Sequence, residues 1–168
     1  MTFKFIAGIC IVLAGFGLGC YHSERLKSYL EICSQTAELF RSSSIMIRYR
    51  GLDVYEMAND MKKSGKYPSL TFLNDIPEKY IPGDDFHEIW RRSVMREKII
   101  PSEEQKLLCG FGDIIGSSDT EGQIKSITAF EKEAELLADQ RKEIYIKKGK
   151  LYRSIGLLFG LMGAILVM

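Results

Sequence analysis

An apolar run stands at each end of this 168-residue chain, Phe3 to Cys20 and Ile155 to Met168, and nearly all the charge lies between them. The first run holds a single charge, Lys4, and comes close to the roughly 20 residues that a helix needs to cross a bilayer. It predicts an N-terminal transmembrane helix over residues 1–20. The second run has no charge in its 14 residues, and at 1.5 Å per residue it reaches only about 21 Å against a hydrocarbon core of about 30 Å. Leu151 and Tyr152 extend it if Arg153 snorkels, so residues 154–168 fit either a tilted transmembrane helix or a re-entrant one. A buried core helix is the third reading, and three glycines with an all-round apolar surface weigh against it.

A cleaved signal peptide would need a charged start, a shorter apolar core and a small-residue cleavage site, which this N-terminus matches only loosely. Gly17-Leu18-Gly19-Cys20 resembles a bacterial lipoprotein signal with Cys20 as the lipidated residue, but Gly17 stands where such signals favour an aliphatic side chain. Charge argues for the other topology. Between Arg141 and Arg153 stand Arg141, Lys142, Lys147, Lys148, Lys150 and Arg153 against one Glu143. Basic residues beside a membrane segment mark the cytoplasmic face, where anionic head groups attract them. With Lys147, Lys148, Lys150 and Arg153 at the membrane boundary, residues 21–153 are expected in the cytosol.

That middle segment has the length of one small domain. It holds all 22 acidic residues and all the basic ones except Lys4, so its formal charge is near zero. A nucleic-acid partner is not expected, because the basic residues gather at the membrane boundary instead of forming a face interleaved with aromatics. Cys10, Cys20, Cys33 and Cys109 show neither CxxC spacing nor a disulfide framework.

The apolar period is helical almost throughout. Leu26, Tyr29, Leu30, Cys33, Ala37, Phe40, Ser44 and Ile47 recur at three- and four-residue steps, so the first helix is expected to run on to about Tyr49 and stop at Gly51. Asp53 with Glu56 reads as a capping box for a short helix ending near Ser64-Gly65, and a further short helix is expected over Ser69 to Glu78. Asp84 and Asp85 suit the start of a helix carrying Phe86, Trp90, Val94 and Met95, and Pro101 opens the next, striped by Leu107, Leu108, Phe111 and Ile115. The last helix begins near Asp119 and runs unbroken into the second apolar run. No stretch alternates. The fold class is therefore all-α, a cytosolic bundle of about six helices flanked by N- and C-terminal transmembrane helices.

The segment Phe111 to Gln123 has the glycines of a phosphate loop without its Lys, since Ser117-Ser118 follows Gly116. It reads as a corner between helices: Gly116 takes the left-handed geometry that ends one helix, and Ser118 with Glu121 caps the next. Gly112, Gly116, Ser118, Asp119, Glu121 and Gln123 are structural residues in this reading. His22 and His87 are the only histidines, His87-Glu88 lacks the second His of a zinc protease, and no Gly-x-Ser-x-Gly elbow exists. No enzymatic activity, cofactor or metal is expected. Gly15 with Gly19 and Gly156 with Gly160 form two small-xxx-small pairs, the second face extended by Gly163-Ala164, that would let the terminal helices pack closely, as an antiparallel hairpin or against other subunits.

The corner residues Phe111-Gly112, Gly116, Asp119 and Gln123, the long charged helix after them, Lys148-Gly-Lys-Leu-Tyr-Arg-Ser154 and the Gly-rich apolar tail together resemble the stage III sporulation protein AB family. The resemblance implies a protein of endospore-forming bacteria, in the mother-cell membrane around the forespore. It implies a part in a secretion-like channel complex, with a soluble domain similar to the cytoplasmic helical domains of type II secretion and type IV pilus platform proteins. The implied partners are a secretion-type ATPase on the cytosolic face, other membrane components of the complex and the lipid bilayer. The function expected is a non-enzymatic membrane platform; the alternative is an exported lipoprotein or anchored binding domain facing outside. Polar faces of the last helix and the loop around Lys62, Lys63 and Lys66 are candidate docking surfaces, although solvated charge is the favoured reading of each, and no contact residues are assigned.

Overall fold

The computed structural model describes residues 2–51, 53–116 and 119–167. They form five α-helices, α1 (Thr2–Arg50), α2 (Val54–Ser64), α3 (Phe86–Arg96), α4 (Ser102–Ile114) and α5 (Thr120–Val167), with one 3-10 turn at Thr71–Asp75. No strand occurs among the described residues. The all-helical class is as the period predicts, with one helix fewer than about six. The helix expected over Ser69 to Glu78 shrinks to the 3-10 turn, because Pro68 and Pro77 bracket it and its entry is fixed from outside. The Ser69 N–H donates to Gln35 Oε1 at 2.8 Å, and Gln35 Nε2 donates to Ser69 Oγ at 3.0 Å. The turn works as a plug, burying Phe72 and Leu73, with Ile76 just beyond it.

Helix ends follow backbone chemistry. Gly51, Gly65 and Gly116 have φ of 56°, 65° and 77°, the left-handed geometry that a Cβ disfavours and that closes a helix. Asp85 caps α3 by accepting from the His87 N–H at 2.9 Å. Asp53 sits at the start of α2 in extended geometry, yet its side chain makes no cap hydrogen bond, so the expected capping box does not form. Pro101 occupies the position before α4 instead of its first turn.

The chain divides into two compact units, a terminal one of Met1–Leu30 with Gln140–Met168 and a central one of Glu31–Asp139. The borders fall inside both long helices. Boundaries drawn at residues 20 and 154 follow hydropathy, whereas these follow packing.

The central unit has a core of large side chains. Trp90, Phe40, Phe72 and Phe111 are fully buried, with Ile32, Leu39, Met57, Met61, Leu70, Leu108, Ile115 and Ile127 around them. Trp90 sits among Phe72, Phe86 and Phe111 at ring separations of 5.1, 5.8 and 5.4 Å. Its Nε1 donates to Leu108 O at 2.7 Å, so the indole satisfies its one donor while fully buried. On α1 the buried stripe is Ile32, Cys33, Thr36, Ala37, Leu39, Phe40 and Ser43. Thr36 and Ser43 are tolerated there because their hydroxyls donate one turn back, to Ile32 O at 2.9 Å and Leu39 O at 2.7 Å.

The terminal unit buries almost nothing large. Its α1 and α5 segments belong to the two helices that are long and apolar enough to cross a membrane. Leu13, Leu18, Leu158, Phe159, Ile165 and Leu166 are each more than 60% exposed. In water such a surface would be strongly unfavourable.

Candidate functional site

In the terminal unit α1 and α5 run antiparallel, and the contacts climb one helix as they descend the other. A Cβ built on Gly8 lies 3.6 Å from Ala164 Cβ, and one on Gly160 lies 3.0 Å from Val12 Cα. On Gly15 it would meet Gly156 O at 2.7 Å and Gly160 Cα at 2.9 Å; on Gly156, Gly15 O at 2.5 Å; on Gly19, Tyr152 O at 2.5 Å. On Gly149 it would meet Ser23 Oγ at 3.1 Å. No side chain fits at the central three positions, because the atoms in the way are backbone. The Cα–H groups of Gly15 and Gly156 face each other's carbonyl oxygens, the weak contact found where helices touch backbone to backbone.

Gly15, Gly19, Gly156 and Gly160 are thus brought together at one seam. The α5 face continues to Ala164, as the Gly163-Ala164 pair in the sequence suggests, while sequence reasoning missed Gly8 and Ser23 on α1 and Gly149 on α5. Their signal is the recurrence of small residues every three or four positions, interrupted at Val12 and Arg153, whose Cα atoms lie against Gly160 and Gly19. Gly17, by contrast, has nothing within 4 Å of a built Cβ. From Gly8 to Ser23 the seam is about 22 Å long at 1.5 Å per residue. Along its α5 side the helix is continuous over Thr120–Val167.

Tyr21, His22 and Tyr152 lie at the edge of the apolar zone, with His22 and Tyr152 ring centroids 5.6 Å apart. Beyond them on α5 come Lys147, Lys148 and Lys150, and Arg153 stands one residue to the apolar side of Tyr152. Lys147, Lys148, Lys150 and Arg153 are all exposed. Lys147 Nζ bonds Glu143 at 3.0 Å, and Arg153 Nε donates to Gly149 O at 3.3 Å. The Arg153 side chain therefore runs back along α5, away from the apolar end.

In the central unit the corner residues separate into two groups. Gly112 packs under Trp90, whose Cγ and Nε1 would lie 2.8 Å from an added Cβ, and its carbonyl oxygen lies 2.6 Å from His87 Nδ1. Next to it Arg91 Nη2 donates to both oxygens of Asp113 at 2.6 Å, and this pairing holds the Arg91 guanidinium above its usual pKa. Gly116 belongs to the second group: its N–H donates to Gln123 Oε1 at 3.1 Å, while Asp119 Oδ2 accepts from the Gly122 N–H at 3.2 Å. Glu121 lies in the first turn of α5. Ser118 lies outside the described residues. The cap at α5 is the Asp119 side chain, and an acid is well suited to a helix N-terminus.

Two surface features of this unit could receive a partner. A cleft of about 360 Å³ is lined by Ser34, Ala37, Glu38, Arg41, Glu135 and Ala138, and ends at Asp139. Arg41 bonds Glu131 at 2.8 Å and also pairs with Glu135 and Glu38; the Glu131 hydrogen bond is the main reason its pKa is raised. Lys62 lies beside a second cleft, with Tyr67, Pro68 and Thr71 on its walls, and Lys63 and Lys66 are exposed nearby. Burial pushes the Cys109 thiol up, which makes it a poor nucleophile. Among the described residues no group of three or more His, Cys, Asp or Glu is placed to hold a metal ion.

The profile of the stage III sporulation protein AB family matches residues 4–168. No curated protein matches the chain, and no solved structure does. Because the family match covers both long helices, the corner and the apolar tail, the chain belongs to the stage III sporulation protein AB family.

Proposed function

We propose that this chain is a non-enzymatic platform component of a secretion-like complex in the mother-cell membrane. Two terminal helices cross the bilayer as a hairpin, and residues 31–139 face the cytosol, where they dock a secretion-type ATPase and other members of the complex. The observation that carries the membrane part is the backbone-to-backbone seam at Gly15, Gly19, Gly156 and Gly160, flanked by side chains that only lipid would cover favourably. Sidedness rests on the cations beside the seam. Docking rests on the family, and on a central unit whose core is closed by its own aromatics, so that its outer faces are left for partners.

Ser64 is exposed at the end of α2 and offers a reporter. In a variant whose four native cysteines are replaced, Ser64→Cys should escape a membrane-impermeant thiol reagent on intact cells and react after lysis. Labelling of intact cells would favour the exported reading. Docking is tested by co-purification of the full chain with the candidate ATPase from detergent-solubilised membranes; consistent failure to co-purify would remove that partner.

A further inference from the structure

We propose that a collar of cations on the terminal unit, Arg25 and Lys27 from α1 with Lys147, Lys148, Lys150 and Arg153 from α5, binds the head groups of anionic phospholipids. The inference rests on the membrane reading above and goes beyond it by naming the lipid class.

Three observations combine. The first is level. Gly19 meets Arg153 and Ser23 meets Gly149, so the next four-residue step sets Lys27 level with Tyr145 and Arg25 level with Lys147. Cations from both helices therefore share one band, about 12 Å deep from Arg153 to Tyr145. The second is order along the axis. Exposed Leu and Phe come first, then Tyr21 and Tyr152, then Arg25, Lys27, Lys147, Lys148 and Lys150, with exposed Leu151 and Ile146 among them and Arg153 bonded back toward them from the apolar side of Tyr152; the main sequence is that of hydrocarbon, interface and head group in a bilayer. The third is imbalance. Residues 21–30 and 140–153 hold eight Lys and Arg but only Glu24 and Glu143 as acids, and of the eight Lys27 and Arg141 already have partners and Arg25 donates to Tyr29 Oη at 2.7 Å. Lys147 already engages Glu143, and Lys148 and Lys150 are exposed with no acidic partner among the described residues.

Phosphate on a lipid supplies the missing counter-charge at the right depth. A soluble anion would not explain why the band abuts the tyrosine edge and why Arg153 is drawn into it. Each Lys or Arg near an anionic surface contributes about fivefold in affinity, and the effect weakens with salt because these groups are exposed.

The test uses the full chain in nanodiscs made from equal parts of phosphatidylglycerol and phosphatidylcholine, released gently for native mass spectrometry. The wild-type chain should retain phosphatidylglycerol over phosphatidylcholine by roughly tenfold or more, as expected for several cations acting together. Lys148→Gln with Lys150→Gln should lose most of that preference, and Lys148→Arg with Lys150→Arg should keep it. Lys62→Gln with Lys63→Gln, in the central unit, should change nothing. Equal retention of the two lipids by the wild-type chain, or a preference unaltered in the Gln pair, overturns the proposal. Carbonate extraction separates the two readings: a chain that resists extraction yet shows no lipid preference defeats the collar alone, and one that is washed off the membrane defeats the membrane reading and the collar together.

Discussion

The two units of this chain are held by opposite means. The central unit interlocks large side chains around Trp90, and the terminal unit removes side chains so that two backbones can touch. In water the gain comes from burying apolar area, which favours bulk. In lipid, exposing a Leu costs nothing, so association depends on close van der Waals fit and favours glycine. Charge divides along the same border. The central unit holds 14 basic and 20 acidic residues, and the terminal unit nine basic and two acidic. A net charge of +1 for the whole chain conceals an acidic module and a basic one. Drawing the border at residues 20 and 154 hides it too, since that assigns the basic stretch to the middle and leaves it near neutral.

The largest effect that would sharpen this contrast is expected at Trp90. Truncating a fully buried aromatic costs about 3–5 kcal/mol, and here three aromatic neighbours and the Leu108 carbonyl lose their partner as well. Trp90→Ala in the full chain in detergent should bring the urea midpoint of the central unit down sharply, read by far-UV circular dichroism. Helicity that melts first in the central unit while the terminal helices persist is the expected pattern. A loss under about 1 kcal/mol would mean that the indole is not the keystone its burial indicates.

At the seam the same logic runs backwards, so that adding atoms should break it. Gly8 and Ala164 give a direct readout, because their Cβ positions are 3.6 Å apart, within the range a disulfide requires. With the native cysteines replaced, Gly8→Cys with Ala164→Cys should cross-link efficiently within one chain in membranes. Adding Gly15→Leu should remove most of the product, since Leu must displace the Gly156 backbone and overpacking by even a few methylenes costs about 1–3 kcal/mol or more. Gly17→Leu, with open space around it, should leave the yield unchanged. Equal cross-linking in both variants would mean that the helices are not registered by glycine.

Much of this was legible in the sequence, because helices declare themselves locally. The three- and four-residue period marked all five, and Gly51, Gly65 and Gly116 stood where a left-handed residue must end a turn. What escaped depends on partners far along the chain. The period on α1 does not tell whether Ile32 and Leu39 join the stripe of Cys33, Ala37 and Phe40; the packed core includes them all. The expected helix after Pro68 failed because Gln35, more than 30 residues earlier, holds Ser69 in another direction. The seam was half visible. Its four glycines and the Gly163-Ala164 extension could be read on paper, but Gly8, Ser23 and Gly149 take meaning only once the register is known.

Gly112 tests whether the two packing styles coexist. Here the Trp90 ring of α3 packs against a glycine of α4, closer than the Phe130 ring that approaches Gly110 on the same helix. Gly112→Ala should destabilise the central unit by about 1–3 kcal/mol, followed through Trp90 fluorescence, the only tryptophan signal in the chain. The terminal seam should be indifferent, with the Gly8–Ala164 cross-link formed at wild-type yield. A coupled loss of both would show that the two units do not report independently.

The smallest effect is expected where charge is densest on the surface of the central unit. Arg41 gathers Glu38, Glu131 and Glu135, but its side chain is half exposed and so are two of the three acids. Exposed pairs lose most of their Coulomb gain to solvent and to the cost of ordering long side chains. Arg41→Ala should therefore leave the urea midpoint unaltered at physiological salt. At about 0.01 M salt, where the screening length grows from about 8 to about 30 Å, the three acids left together should repel and a small loss should emerge. The sign matters more than the size: a destabilisation that is large and insensitive to salt would place Arg41 among the groups that hold the module closed. The salt-dependent result leaves it as a cation that merely quiets an acidic face, in a unit whose stability comes from its aromatic core.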